Sequence, residues 1–354
     1  AIASPMIFFA LVWGIYSIGD ASTFSVLGKK LALRYFSYIT FFTLFIGGIS
    51  MFFFKFEKGG TIDGSGLKEV YQMVLDIVPG NIFTPFAEGN TLQIVFLGII
   101  IGVAMIMIGE KTQTVALIAE QLNYLVQIIM NFISKLVPFF VFGSLLGIIL
   151  SNDLTGILSS YKFVLSYIFS CAFILITCVL LISIKLKVNA LTFIKKVLPT
   201  FIIGVTTASS AAAFSENLDT CINKLGIKKS FSNFGVPFNQ VIFKPGASIL
   251  YFLMAIFTAE VYSVPTSLSW FASAFLMCII LGIATPPVPG GTLASIAVLF
   301  AQLQLPETGI ALALALNVIL DFVGTPTNLV SAQSMLALSA KNFNLIDESI
   351  LKKQ

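Results

Sequence analysis

The chain has 354 residues, of which 57% are hydrophobic and 10% charged, and its mean hydropathy is +0.99. Soluble domains carry roughly 25% charged residues, so water is excluded as the main solvent and the composition is that of an integral membrane protein. The net charge of +4 is small and scattered, which reads as topology-setting loop lysines and gives no footprint for a nucleic-acid partner. The chain contains no histidine, which removes Ser-His triads and His-ligated zinc. Cys171, Cys178, Cys221 and Cys278 lie in or beside apolar runs at no metal-ligand spacing, so they read as buried packing. Neither an enzyme nor a cofactor is expected.

Residues 1–18 are apolar from the outset and lack a basic start and a small-residue cleavage site, so they read as a membrane helix already under way and not as a signal peptide. A second span is expected from Leu33 to Phe54, after a cytoplasmic linker carrying Lys29, Lys30 and Arg34. A mixed-charge, glycine-containing loop from Lys55 to Glu69 follows, in which Gly64 and Gly66 are only a loop. A short amphipathic stretch from Val70 to Val78 ends at Pro79. The third span runs from Thr91 to Ile108. A long helical pattern from Thr112 to Leu150 is interrupted at Pro138, and another span runs from Phe163 to Leu186.

Beyond Leu191 the apolar runs are broken at mid-depth by small residues, prolines and isolated charges. In a bilayer such breaks survive only where they are buried in protein or line a cavity, because each unpaired peptide group costs several kcal/mol in hydrocarbon. Three interrupted segments follow. The first, about 192–228, has the small, hydroxyl-rich centre Thr206-Thr207-Ala208-Ser209-Ser210-Ala211-Ala212-Ala213 and reads as a re-entrant hairpin. The second, about 234–259, is broken at Lys244-Pro245-Gly246. The third, about 265–306, reads as another hairpin whose centre, Thr285-Pro286-Pro287-Val288-Pro289-Gly290-Gly291, cannot continue a helix. Two such hairpins, each followed by a span with polar residues, suggest a repeat-built transporter in which half-helix ends face the solute.

The last span, about 307–340, carries Asn317, Asp321, Thr325, Asn328, Ser331 and Gln333. Asp321, Thr325 and Asn328 fall at i, i+4 and i+7 and share one helix face. A carboxylate at this depth is costly and marks function by default; it suits an ammonium group, whereas Asn328 and backbone N–H groups suit a carboxylate. An amino acid carries both. Lys244 is the second intramembrane charge. It reads either as a snorkelling or pairing residue or as a fixed cation in the transport site. Glu216, Asp219 and Glu260 read as solvated, and Lys224, Lys228 and Lys229 as topological.

Several motifs resemble the dicarboxylate/amino acid:cation symporters, the group of glutamate and neutral amino acid transporters. They are Asp76-Ile77-Val78-Pro79-Gly80-Asn81-Ile82-Phe83, the run from Phe96 to Gly102, Ala208-Ser209-Ser210-Ala211, Gly282 to Gly290, and Asn317 to Gln333. Ser4-Pro5-Met6-Ile7-Phe8 looks like the family's second helix, which puts the first outside this sequence. The resemblance implies an all-α multi-span bundle with two re-entrant hairpins, a scaffold and an elevator-type transport domain. It assigns residues 1–70 and 71–160 to N-terminal, scaffold and trimerisation helices and 161–354 to the transport core. It further implies a homotrimer in a bacterial inner membrane. By the same resemblance, Asp321 holds the substrate's amino group, Asn328 its α-carboxylate, and Thr325 is a neighbouring contact. Ser209, Ser210, Val288, Pro289 and Gly290 form the hairpin tips over the substrate. Gly324 replaces the arginine that clamps an acidic side chain. The family's ion-binding asparagine and two aspartates are replaced at Phe243, Pro245 and Ala332, which leaves no confident metal ligand. Lys244 then stands as a substitute for a bound cation. The expected function is sodium-independent transport of neutral or small polar amino acids. Proton- or sodium-coupled symport of acidic amino acids or dicarboxylates is the alternative, and a passive channel or a transport-dead sensor the further one.

Overall fold

The computed structural model describes residues 3–17, 19, 21–50, 52–55, 75, 77–126, 128–129, 132, 160–285 and 292–353. Among these every extended element is a helix, apart from one isolated antiparallel bridge between Ile227 and Ile346. Among the described residues six stretches are long and apolar enough to cross a membrane: Thr23–Ser50, Gln93–Val126, Tyr161–Leu186, Ala190–Thr207, Lys229–Val261 and Glu307–Asn342. The all-helical membrane architecture expected from composition is therefore the observed one. The stretch 56–74 and the interruption at Pro138 lie outside the described residues.

The first helices are α1 (Ala3–Tyr16), α2 (Ala21–Ser50), the short α3 (Thr84–Glu88) and α4 (Thr91–Ile108). One expectation is corrected here. Lys29, Lys30 and Arg34 do not form a linker but lie within α2, whose 30 residues contain no proline to stop it. The Arg34 Nη1 donates to Ser339 Oγ at 2.9 Å, and the Lys30 ammonium lies 5.3 Å from the Phe343 ring centroid, so long basic side chains find partners without breaking the helix. Outward faces of α2 are apolar, with Phe36, Phe41, Leu44 and Phe45 all exposed. In water that belt would be a liability, whereas in a bilayer it meets lipid tails.

The second half contains α5 (Tyr161–Leu186), α6 (Ala190–Thr207), α7 (Phe214–Asp219), α8 (Lys229–Ile242), α9 (Pro245–Val261), α10 (Leu268–Ala284), α11 (Thr292–Gln302), α12 (Ile310–Asn342) and the terminal α13 (Glu348–Lys352). Helix α12 packs along α5 and α6 and also meets α8 and α9. Every residue from Pro245 to Ala259 is buried, so α9 forms the interior of this half. Free, buried Cys171, Cys178, Cys221 and Cys278 act as packing residues, as their spacing predicted.

The segment centred on Ala208 reverses at a left-handed residue, Ala208 at φ 46°, and its two arms touch through Thr200 Oγ1 donating to Thr220 Oγ1 at 3.2 Å. A π-helical turn over Thr220–Lys224 ends the second arm. In the other interrupted segment, α10 and α11 meet through the Thr285 and Ser295 hydroxyls, 3.0 Å apart. Its centre, 286–291, lies outside the described residues. Glu216 pairs with Lys224 at 2.6 Å, Asp219 accepts from Asn223 at 2.7 Å, and Glu260 pairs with Lys162 at 3.4 Å.

Close helix contacts rest on small residues. A side chain at Gly14 of α1 would collide with the Asn233 carbonyl of α8 and come within 2.9 Å of the Phe234 Cα. Gly48 of α2 has nothing within 4 Å of the same position. Gly14→Ala is expected to lower the thermal midpoint of the detergent-purified protein, by about 1–3 kcal/mol of stability. Gly48→Ala is expected to leave it unchanged or to raise it by about 0.5–1 kcal/mol, since a helix-interior glycine is being removed.

Candidate substrate site

The site is built around a helix broken inside the protein. Pro245 has no N–H and disfavours helical geometry in the residue before it, so α8 ends at Ile242 and Lys244 takes φ −130°, ψ 67°. Pro245 then opens α9 at the first helical position, where its missing donor costs nothing. Such a break bares polar backbone groups, and two side chains from other helices satisfy those of Gly246.

Asn328 of α12 accepts from the Gly246 N–H at 2.8 Å, acting as a cap supplied from a neighbouring helix. The Tyr167 hydroxyl of α5 donates to the Gly246 carbonyl at 3.2 Å. Lys244 itself, 5% exposed, donates its ammonium to the carbonyl of Thr285, the residue that ends α10. Glycine at 246 allows a close approach, since a Cβ there would lie 3.0 Å from Asn328 Oδ1 and 3.2 Å from the Gly324 carbonyl. The start of α9 is thereby pressed onto the Gly324–Asn328 rung of α12.

Helix α12 runs unbroken through Pro326, and the close approach of Gly204 to Pro326 shows how tightly α6 packs there. Asp321 is half-buried; its Oδ2 accepts from Asn317 Nδ2 at 3.3 Å, and the same amide donates to the Thr292 hydroxyl at the start of α11. Thr325 is buried one turn further on. Gly324 is buried too, and the space beside it is taken by the Tyr167 hydroxyl, which a side chain at 324 would strike. Gly324 and Asn328 thus meet the start of α9, and Asp321 reaches the start of α11 through Asn317.

Other candidate residues fall less simply. Ser209 is buried, but its Oγ accepts from the Ala212 N–H at 3.1 Å and so shapes its own turn. The Ser210 carbonyl accepts from Gln240 Nε2 at 3.0 Å, tying the turn to α8. Val288, Pro289 and Gly290 lie outside the described residues. Phe243 is buried against Tyr35, with ring centroids 4.7 Å apart, Pro245 is helical, and Ala332 is buried, so none of the three offers a side-chain oxygen to an ion. Lys244 is not in ion-pair contact with Asp321; among the described residues the ion pairs are all elsewhere. No cluster of metal-binding carboxylates or thiols occurs among the described residues.

Tyr167, Tyr251 and Thr292 escaped the sequence reading. Tyr251 reaches the Thr285 hydroxyl at 2.6 Å, which in turn donates to the Leu281 carbonyl at 2.7 Å. The available signal was a tyrosine in each of two apolar helices, since a buried phenol needs a partner.

The family model of the sodium:dicarboxylate symporter family matches residues 1–342. The chain belongs to this family. Relatives similar to it along nearly their whole length include a C4-dicarboxylate transport protein of Bacillus subtilis, 26% identical over 98% of this chain and 86% of the relative. A proton/sodium-glutamate symport protein of Bacillus caldotenax is 25% identical over 93% of this chain and 81% of its own length. A C4-dicarboxylate transport protein of Erwinia tasmaniensis is 25% identical over 100% and 86% respectively. With its apolar helices, this family member is a multi-pass inner-membrane transport protein.

Replacing Asn328 by Leu removes the acceptor of the Gly246 N–H at a buried helix start. A loss of about 1–3 kcal/mol is expected, read as a lower thermal midpoint of the purified protein with α-helical circular dichroism retained.

Proposed function

We propose that this symporter-family member is a secondary amino-acid carrier for neutral or small polar substrates, working without sodium coupling. The observation that carries the reading is the Lys244 ammonium, buried where α8 ends and donating to the carbonyl that ends α10. The carboxyl end of a helix carries roughly half a negative charge. Two such ends meet here, and a fixed ammonium supplies the cation that the broken helix calls for. The residues in place of the family's ion ligands, Phe243, Pro245 and Ala332, are apolar, and a hard cation needs several oxygens.

In this reading Asp321 receives the substrate's ammonium group, the side-chain amide N–H of Asn328 and hairpin-tip N–H groups its α-carboxylate, and Thr325 is a neighbouring contact. Ser209 and Ser210 with Val288, Pro289 and Gly290 form the two covers. Movement of the hairpins and α12 as a unit against the first helices, in a trimer, follows the family pattern. Gly324 leaves no guanidinium for an acidic side chain. The names of the relatives favour a second reading, transport of C4-dicarboxylates or glutamate, with the Lys244 ammonium as the partner of the additional carboxylate.

Counterflow into proteoliposomes tests the first reading. Uptake of alanine and serine is expected to persist when choline replaces sodium, and strict sodium dependence overturns it. Lys244→Met is expected to reduce uptake by tenfold or more, on the order of the 1.4 kcal/mol or greater cost of leaving the helix ends unneutralised. Uptake of succinate or aspartate with exclusion of alanine and serine favours the second reading.

A further inference from the structure

We propose that the groove between α2 and α5 is a phospholipid site, with one acyl chain in the groove and a phosphatidylethanolamine headgroup on Lys162 and Glu260 at its mouth. The groove has a volume of about 620 Å³, and Leu253 of α9 forms part of its floor. One wall is the end of α2, through Phe45, Ile49 and Phe53, and the other is the first half of α5, through Tyr161, Leu165 and Phe169. All six are exposed, so the groove opens away from the protein. At the deep end the Phe45 and Phe173 rings stack, with centroids 5.0 Å apart, and bridge the two walls.

Length and polarity select the occupant. From Tyr161 to Phe173 the wall follows α5 for about 18 Å at the helical rise, close to the roughly 15 Å of hydrocarbon in half a bilayer. Ser50 and Ser170 reach the wall but donate to carbonyls of their own helices, at 2.8 and 2.6 Å, so the interior calls for no polar ligand atom. Tyr161 at the mouth is the residue type that settles at headgroup depth. There Lys162 of α5 pairs with Glu260 of α9 at 3.4 Å, and the same Glu260 Oε1 accepts the Lys55 N–H at 3.2 Å. Glu260 Oε2 has no partner among the described residues. A cation beside an open carboxylate oxygen matches a headgroup that carries both a phosphate and a primary ammonium. Phosphatidylcholine has no N–H to give Glu260, and phosphatidylglycerol brings a negative charge with no cation to face that carboxylate. Leu253 lies two turns along α9 from Gly246, so a chain in the groove packs on the helix that Asn328 caps.

Thermal midpoints of the delipidated, purified chain in detergent micelles test the site, with and without dioleoyl phosphatidylethanolamine, phosphatidylcholine or phosphatidylglycerol. The ethanolamine lipid is expected to raise the midpoint by about 2–4 °C at tenfold its Kd, and the other two by less than half as much. Ser166→Phe, which puts a ring into the groove, is expected to abolish the shift. Glu260→Ala is expected to bring the ethanolamine shift down to the choline one. Each shift compares one preparation with and without lipid, so a variant's own stability does not enter; Leu165→Trp, at an exposed wall position, replaces Ser166→Phe should that variant not fold. Equal shifts from all three lipids in the wild type mark an unselective annulus and overturn the proposal, as does a largest shift from phosphatidylglycerol. An ethanolamine preference that survives both the filling variant and Glu260→Ala belongs elsewhere on the protein and overturns it too. A filling variant that changes the oligomeric state on size exclusion, and not the lipid response, makes the groove a contact between copies.

Discussion

The constraint on which the second half of the molecule depends is a helix broken where no water can repair it. Residues 243–244 interrupt a stretch whose continuation from Pro245 to Ala259 is buried throughout. Peptide groups freed at such a place must find partners in the protein or cost several kcal/mol each. Asn328 and Tyr167 meet that demand at Gly246 from α12 and α5, while Lys244, in the break itself, turns its ammonium to the carbonyl that ends α10. Each therefore has a structural task, and the geometry that performs it aims polar atoms at one region.

This double duty explains why the region concentrates groups that an ordinary core excludes. Asn317 links Asp321 to the start of α11, Gln240 links the Ser210 turn to α8, and Gln333 donates to Thr200 at 2.9 Å, joining α12 to the first interrupted segment. Hydroxyl contacts between arms, Thr200 with Thr220 and Thr285 with Ser295, recur in both interrupted segments. Among the described residues these bonds tie both interrupted segments and α8 to their neighbours, and one of them, from Asn317, reaches Asp321.

Charge placement follows the same logic. Exposed ion pairs such as Lys162–Glu260 lie at helix ends and contribute little on their own. The buried Lys244 is compensated by a helix-end carbonyl and not by Asp321, which leaves the carboxylate side of the site independent of the lysine. Arg34, Lys30 and Lys196 instead run along helices to meet Ser339, Phe343 and the Ile350 carbonyl. That behaviour is why a basic cluster inside α2 resembles a loop when only charge is considered.

Much of this was legible in the amino-acid sequence. Hydropathy alone determines a membrane solvent and the spans Thr91 to Ile108 and Phe163 to Leu186, because an apolar run of that length has one stable environment. Pro245 and Gly246 determine the break, and the spacing of Asp321, Thr325 and Asn328 determines a common face, because both are local backbone geometry. Other features belong to the tertiary structure. That Lys30 and Arg34, inside a helix, find partners in Phe343 and Ser339 near the other end of the chain depends on the packing of α2 against α12. That Lys244 meets Thr285, and that Tyr167 fills the space beside Gly324, depends on how α5, α9, α10 and α12 are brought together. Periodicity assigns a residue to a face, but only packing decides which group it finds there.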